Sequence, residues 1–174
     1  MSERRAELAA ALIRNFNHAP LAHEVREPLY DTACARLARG TAARKLGASV
    51  DVLEPGKRGC PYHLHHAQEE MFIILEGSGT LRVAGELLPL VTGDVVFIPP
   101  GPDYPHQIIN TSQLPLKMLS ISTMETPEIC EYPDSGKFLA ESSVGGNSNS
   151  PAGTRSFDHI GCTSASLDYW HGEP

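Results

Sequence analysis

Cations are scarce in this chain. Fourteen Lys and Arg stand against 21 Asp and Glu, a formal net charge of -7 over 174 residues. Clustered basic residues are what release counterions from a phosphate backbone or bind an anionic bilayer, so neither nucleic acid nor a membrane is an expected partner. No stretch approaches the roughly 20 consecutive apolar residues of a membrane span. Arg4-Arg5 ahead of Ala9–Ile13 faintly imitates an export signal. Its apolar part is short and no small-residue cleavage site follows, so a cytoplasmic location is expected. Cys34, Cys60, Cys130 and Cys162 lack C-x-x-C spacing. Free thiols in a reducing compartment fit them better than a disulfide framework. Aromatic residues make up only 6% of the chain, which leaves few stacking platforms for a dedicated sugar-binding surface. No helix-turn-helix, no repeated strand-then-helix unit and no long internal repeat is recognisable.

What is present is an ordinary globular composition, 41% hydrophobic and 20% charged, at a length that suits one domain. The dense signals are those of short strands. Leu46–Leu53, His63–His65, Met71–Leu75, Thr80–Val83, Leu87–Val91, Val95–Ile98, His106–Asn110 and Leu116–Thr123 are separated by Gly, Pro and Asp punctuation. Strands at that spacing predict an all-β sandwich or barrel. Gly77-Ser78-Gly79 reads as a hairpin turn and Ala84-Gly85 as another turn. Residues 1–17 read either as a short helix with Ser2 as N-cap or as a frayed tail. Asn15–Leu29, broken by Pro20 and Pro28, reads as extended edge or loop. Residues 142–153, rich in Ser, Gly and Asn, read as a mobile loop. Ser166–Trp170 carries the single Trp and is expected to pack back on the body. The domain reading is an N-terminal extension over 1–30, a barrel over 31–128, and a C-terminal segment over 129–174 packing on that barrel.

The chemistry concentrates between Gly56 and Gly77. His63 and His65 are two apart, and on a strand residues i and i+2 share a face, so both imidazoles can reach one ion. Leu64 points the other way. His66–Glu69 reads as a polar turn, after which Glu70 opens an apolar strand and can return beside the two histidines. Two imidazoles and a carboxylate form a facial ligand set for a first-row divalent metal, with open positions left for a ligand. A second stretch, Gly93–Asn110, adds His106 as a fourth candidate, held at a Gly/Pro corner, with Asn110 placed to brace a turn.

These two stretches resemble the two motifs of the cupin superfamily. The first, G-x5-H-x-H-x3,4-E-x6-G, is met by His63, His65, Glu70 and Gly77, with Gly56 one residue further off than the pattern asks. The second, G-x5-P-x-G-x2-H-x3-N, is met by Gly93, Pro99, Gly101, His106 and Asn110, with Tyr104-Pro105 lengthening the corner. The C-terminal segments Glu131–Lys137 and Asp168–Trp170 resemble one branch of small stand-alone bacterial cupins. The resemblance implies a double-stranded β-helix (cupin or jelly-roll barrel). It also implies a 3-His-1-Glu centre of His63, His65, Glu70 and His106 for one divalent ion (Mn, Fe, Zn or Ni), and frequent homodimers. Labels in that branch imply a sugar-phosphate isomerase-like or mannose-6-phosphate isomerase-like activity.

Three functions stay open on these residues. The first is a metal-dependent, isomerase-like enzyme acting on a small polar metabolite, in which the metal polarises a carbonyl and pocket cations hold phosphate. Lys57, Arg58, Arg82, Lys117 and Lys137 are the candidate cations, and none lies in a Gly-rich phosphate loop. The second is an Fe(II) dioxygenase-type cupin on the same ligands. The third is a non-catalytic cupin that only binds a small molecule. Around the ligands, Phe72 and Ile74 share the parity of Glu70 and point into the barrel. Tyr62 packs outward, and Cys60 lacks the fixed cationic neighbour that would activate a catalytic thiol. Gln68 and Gln107 either contact substrate or face water, with Gln68 assigned to water. Tyr132, Asp134 and Lys137 in Glu131–Lys137 form either a lid or substrate contact or a surface β-turn. Asp158, His159 and His171 are read as surface groups, and His18 and His23 have no evident partner.

Overall fold

The computed structural model describes residues 2–144 and 154–174. Its order is α1 (Glu3–Leu12), β1 (Ala22–Arg26), β2 (Tyr30–Arg36), β3 (Leu46–Leu53), β4 (Leu64–His65), β5 (Glu70–Glu76), β6 (Ser78–Val83), β7 (Glu86–Val91), β8 (Val95–Ile98), β9 (His106–Ile109), β10 (Leu116–Thr123), β11 (Glu128–Tyr132), β12 (Lys137–Val144) and β13 (Thr154–Cys162). A six-stranded sheet runs β1-β2-β3-β10-β5-β8, a four-stranded sheet β13-β12-β11-β4, and a three-stranded sheet β7-β6-β9. The strand pairs are all antiparallel, the arrangement of a jelly-roll.

Residues directly opposite one another on paired strands share a face. That rule gives the inner wall of the large sheet row by row. Thr32, Leu53 and Leu116 form one row; Cys34, Asp51, Met118 and Ile74 the next; Arg36, Ser49, Ser120 and Phe72 the next; Gly47, Ser122 and Glu70 the last. Moving along the strands, the inner face changes from apolar to polar. The apolar end, with Leu53, Ile74, Leu116 and Met118, joins Phe72, Leu81, Leu90, Ile98 and Ile108 in one hydrophobic cluster. The polar end is left open as a cavity. Burial of a large aliphatic side chain contributes roughly 2 kcal/mol each, so the apolar end supplies most of the cohesion and the polar end is free to carry function.

Three local readings are corrected. Gly77 is not a hairpin: β5 pairs with β10 and β8, whereas β6 pairs with β7 and β9, so the chain passes there from one sheet to another. Gly77 has φ +84°, and a Cβ would stand 2.5 Å from the Pro115 carbonyl oxygen and 3.3 Å from Leu116 Cα, both backbone atoms. At Gly85, φ is +85° but nothing lies within 4 Å. Gly77→Ala is therefore expected to lose about 2 kcal/mol or more of stability, and Gly85→Ala about 1 kcal/mol. Equal thermal midpoints for the two variants would refute the claim of crowding at residue 77.

Trp170 does not fold back on the body: Leu167, Tyr169 and Trp170 are each at least 70% exposed. Tyr169 and Trp170 pack edge to face on each other instead. The N-terminal helix does form, but Ser2 makes no side-chain cap bond and no α1 residue is buried. It is tied down by Ala42 N–H donating to Ala11 O and by the Arg14 guanidinium donating to Gly40 O. Asn15–Leu29 contributes the edge strand β1, as its prolines suggest. Of the expected 142–153 loop, residues 142–144 belong to β12 and the remainder lies outside the described residues. Among the described residues, no helix is long and apolar enough to cross a membrane.

Candidate metal centre

His63 sits just before β4 in an isolated bridge to His106, with His63 N–H donating to His106 O and His106 N–H to His63 O. His65 ends β4, and Glu70 opens β5. Of the four predicted side chains, His63, Glu70 and His106 have candidate ligand atoms within 4.8 Å of one another, whereas His65 falls in a second such group with His63 and Cys130. Glu70 Oε2 is the meeting point, 2.8 Å from His106 Nε2, 3.4 Å from His65 Nε2 and 3.7 Å from His63 Nε2. His66 points away and pairs with Glu131 at 2.6 Å. Glu69 is exposed.

The outer ring nitrogens decide whether these residues fit a cation. His63 Nδ1 lies 2.9 Å from the Pro61 carbonyl oxygen, and His106 Nδ1 lies 3.2 Å from that of Tyr104. A carbonyl oxygen only accepts, so each Nδ1 must carry the proton. That leaves Nε2 as the nitrogen aimed at the centre: with no ion bound, His106 Nε2 donates to the Glu70 carboxylate at 2.8 Å, and loss of that proton gives the tautomer in which histidine binds a metal. The added Tyr104-Pro105 of the second motif thus supplies the carbonyl that orients His106. His65 Nδ1 has no hydrogen-bond partner among the described residues. It faces Glu128 Oε1 at 3.5 Å, an electrostatic contact longer than a good hydrogen bond.

The electrostatics also favour positive charge at the meeting point. Burial alone would depress the His63 imidazole, but the Cys60 sulfur and Glu70 outweigh it and push it up to about 12. Burial likewise opposes charge on His65, yet Glu128 and Glu70 carry it up to about 8. Burial would raise the Glu70 carboxyl, but the three imidazoles hold it well below the ordinary carboxylate range. With no ion bound, protons on the imidazoles balance the Glu70 carboxylate; a divalent ion that displaces them would meet three imidazole nitrogens and a carboxylate, a donor set that fits the expected metal.

The centre opens into a cavity of about 730 Å³. Phe72, Ile108, Met118 and Leu139 line its apolar side. Its polar side holds Asp51, which accepts from Ser49 Oγ and Ser120 Oγ at 2.8 Å each.

Several lining residues escaped the sequence reading. Glu128 and Cys130 are two of them; with Tyr132, which the sequence did offer as a lid or substrate contact, they alternate along β11 and line the cavity. The period-2 pattern E-I-C-E-Y was the available signal, masked by the turn residues that follow it. Glu128 is 3% exposed and accepts the backbone N–H groups of His66, Ala67 and Gln68, thereby fixing the turn between the ligand strands. Gln68, assigned to water from sequence, is buried and donates to Glu125 O. Gln107 donates to Cys60 O and is also buried.

Tyr62 is buried outside the cavity lining under the Arg82 guanidinium, 3.7 Å from its ring centroid. Residues 133–136 form the turn of the β11–β12 hairpin, and Asp134 is held bidentately by Arg82 at 2.6 and 2.8 Å. The surface-turn alternative thus describes this segment, except that Tyr132 faces the cavity. His159 packs against Phe138 and Phe157, away from the centre. His23 lies 3.4 Å from Asp31.

Residues 49–122 match the cupin domain family. An uncharacterised protein of Methanocaldococcus jannaschii is 40% identical over 60 residues, a match spanning 34% of this chain and 46% of that protein. Among solved structures, a candidate sugar phosphate isomerase of Acidithiobacillus ferrooxidans superposes with a TM-score of 0.74 at 24% identity, over 91% of this chain and 96% of its own. A cupin-superfamily sugar phosphate isomerase of Silicibacter pomeroyi superposes at 0.68 and 21% identity, over 89% and 96%. At these identities the structural likeness is one of fold.

Proposed function

Since this chain is a member of the cupin superfamily through its domain at 49–122, we propose that it is a metal-dependent, isomerase-like enzyme for a small polar metabolite. One observation carries the reading: three imidazole Nε2 atoms meet one carboxylate oxygen at 2.8 to 3.7 Å, at the edge of a cavity large enough for a sugar phosphate. His63, His65, Glu70 and His106 would hold one divalent ion. When bound, that ion supplies a Lewis acid for a substrate carbonyl or hydroxyl oxygen.

The chain's other residues divide the remaining work. Phe72, Ile108 and Met118 exclude water from one side of the substrate. Asp51, with Ser49 and Ser120, offers a polar wall for hydroxyl groups. The phosphate contact moves away from the cations chosen on sequence. Lys57 pairs with Glu27, Arg82 with Asp134 and Lys117 with Glu76, and none of the five candidates lines the cavity. Arg36 and Arg39 do line it, and among the described residues neither side chain is held in an ion pair. They are the groups placed to hold a substrate anion. The two superposed proteins, named as sugar phosphate isomerases, are in keeping with this class of substrate.

The test is proton NMR of the metal-replete protein with a panel of aldose and ketose phosphates in deuterium oxide. An isomerase removes the carbon-bound proton beside the carbonyl, so interconversion accompanied by loss of that signal is expected. Stoichiometric metal with no turnover and no exchange across the panel would reject the isomerase reading.

A further inference from the structure

We propose that Cys130 is an additional ligand of the centre, so that the ion is held by a thiolate as well as by His63, His65, Glu70 and His106. The inference rests on the metal reading above. Its basis is the register between β4 and β11, in which Cys130 lies directly opposite His65. Opposed residues on paired strands share a face, with Cβ atoms about 5 Å apart. His65 is aimed at the centre, so Cys130 is as well. Ligating atoms of His63, His65 and Cys130 lie within 4.8 Å of one another, and those of His63, Glu70 and His106 form a second such group that shares His63. Two donors bound to one ion at about 2.1 Å (nitrogen) and 2.3 Å (sulfur) stand at most about 4.4 Å apart. Closure by a few tenths of an ångström seats His63, His65 and Cys130 on one ion, with His63 as the ligand shared with the Glu70 and His106 group.

Cys130 is 5% exposed, so no bulk solvent competes for the position. Cys60 is a different case. Its Sγ lies 3.6 Å from His63 Nδ1, on the outer edge of that ring, behind the face that meets the ion. On binding, the Cys130 thiol releases its proton to solvent and a sulfur–metal bond forms, with no change of oxidation state. A thiolate makes the centre softer than three imidazoles and a carboxylate alone. It selects zinc, cobalt, nickel or iron(II) over manganese or magnesium.

Cobalt(II) titrated into metal-free protein and followed by absorption tests this directly. The expected result for the parent is visible cobalt bands together with a near-ultraviolet sulfur-to-cobalt charge-transfer band. Cys130→Ser is expected to keep the visible bands and lose the near-ultraviolet band, while Cys60→Ser keeps both. A parent that shows visible bands without the charge-transfer band overturns the inference and leaves the metal reading standing. The parent spectrum suffices for that outcome even if a variant fails to fold. A charge-transfer band that survives in Cys130→Ser also overturns it. A parent that takes up no cobalt overturns both readings.

Discussion

His106→Ala is expected to strip the protein of metal. Protein purified without added metal should carry close to one divalent ion per chain in the parent and almost none in this variant. The loss in affinity is expected to exceed about 100-fold, since even removal of a group that only orients a ligand costs about 10- to 100-fold. His106 is the informative position because its roles separate cleanly. Its backbone holds the bridge to His63 in both directions, and alanine keeps those hydrogen bonds. Its side chain, 1% exposed, is what disappears, together with the 2.8 Å approach to Glu70. His63→Ala should behave alike. His66→Ala is the control: that ring is exposed, lies next to His65 and pairs with Glu131, so its loss should leave metal content unchanged. Parent-level metal in both His63→Ala and His106→Ala would show that the ligand set is wrong. A loss of metal in His66→Ala would show that general disruption, not ligation, is being measured.

The residues that the sequence revealed are those whose roles follow from local parity. His63 and His65 are two apart, and Glu70, Phe72 and Ile74 share one face of β5; Phe72 and Ile74 are buried accordingly, at 7% and 1% exposure. What stayed hidden depends on pairing between distant segments. Glu128 and Cys130 reach the centre only because β11 pairs with β4 some 65 positions earlier in the chain. A turn at Gly77 is equally compatible with a hairpin and with a crossing between sheets, because both need a left-handed residue. Strand β2 carries Tyr-Asp-Thr-Ala-Cys-Ala-Arg, whose small and polar inner residues give no hydrophobic alternation. That absence is itself functional: Cys34 and Arg36 face the cavity rather than the core. Gln68 looked like a turn residue for water because its partners, the Glu125 carbonyl and the buried Glu128 carboxylate, lie 57 and 60 positions away.

Asn110→Ala is expected to lower stability by about 3 kcal/mol, since it removes every hydrogen bond of a fully buried amide and leaves the Leu53 carbonyl without its side-chain donor. Asn110 has no exposed surface. Its Nδ2 donates to Leu53 O at 2.9 Å and to Leu114 O at 2.8 Å, while Oδ1 accepts from Ser112 N at 3.0 Å and from Ser112 Oγ at 2.8 Å. Two donor hydrogens and two acceptor lone pairs are all the amide has, and each is used. It ties the end of β3 to the loop between β9 and β10, and thereby fixes the strand that carries His106. Alanine leaves the Leu53 carbonyl without this buried donor, while the carbonyl of the exposed Leu114 keeps Ser112 Oγ at 2.8 Å. For a chain of this size, that loss corresponds to a fall of roughly 6 to 12 °C in midpoint.

Asn110→Asp separates hydrogen bonding from volume. It keeps the shape but turns both donors into acceptors facing carbonyl oxygens, so it should rescue nothing. Denaturation should be followed on metal-free protein, because bound metal adds its own stabilisation to the folded state. A loss below about 1 kcal/mol for alanine would mean that the backbone bonds around residue 110 hold the corner unaided. An aspartate variant as stable as the parent would mean that packing, and not the amide's four hydrogen bonds, is what this position contributes.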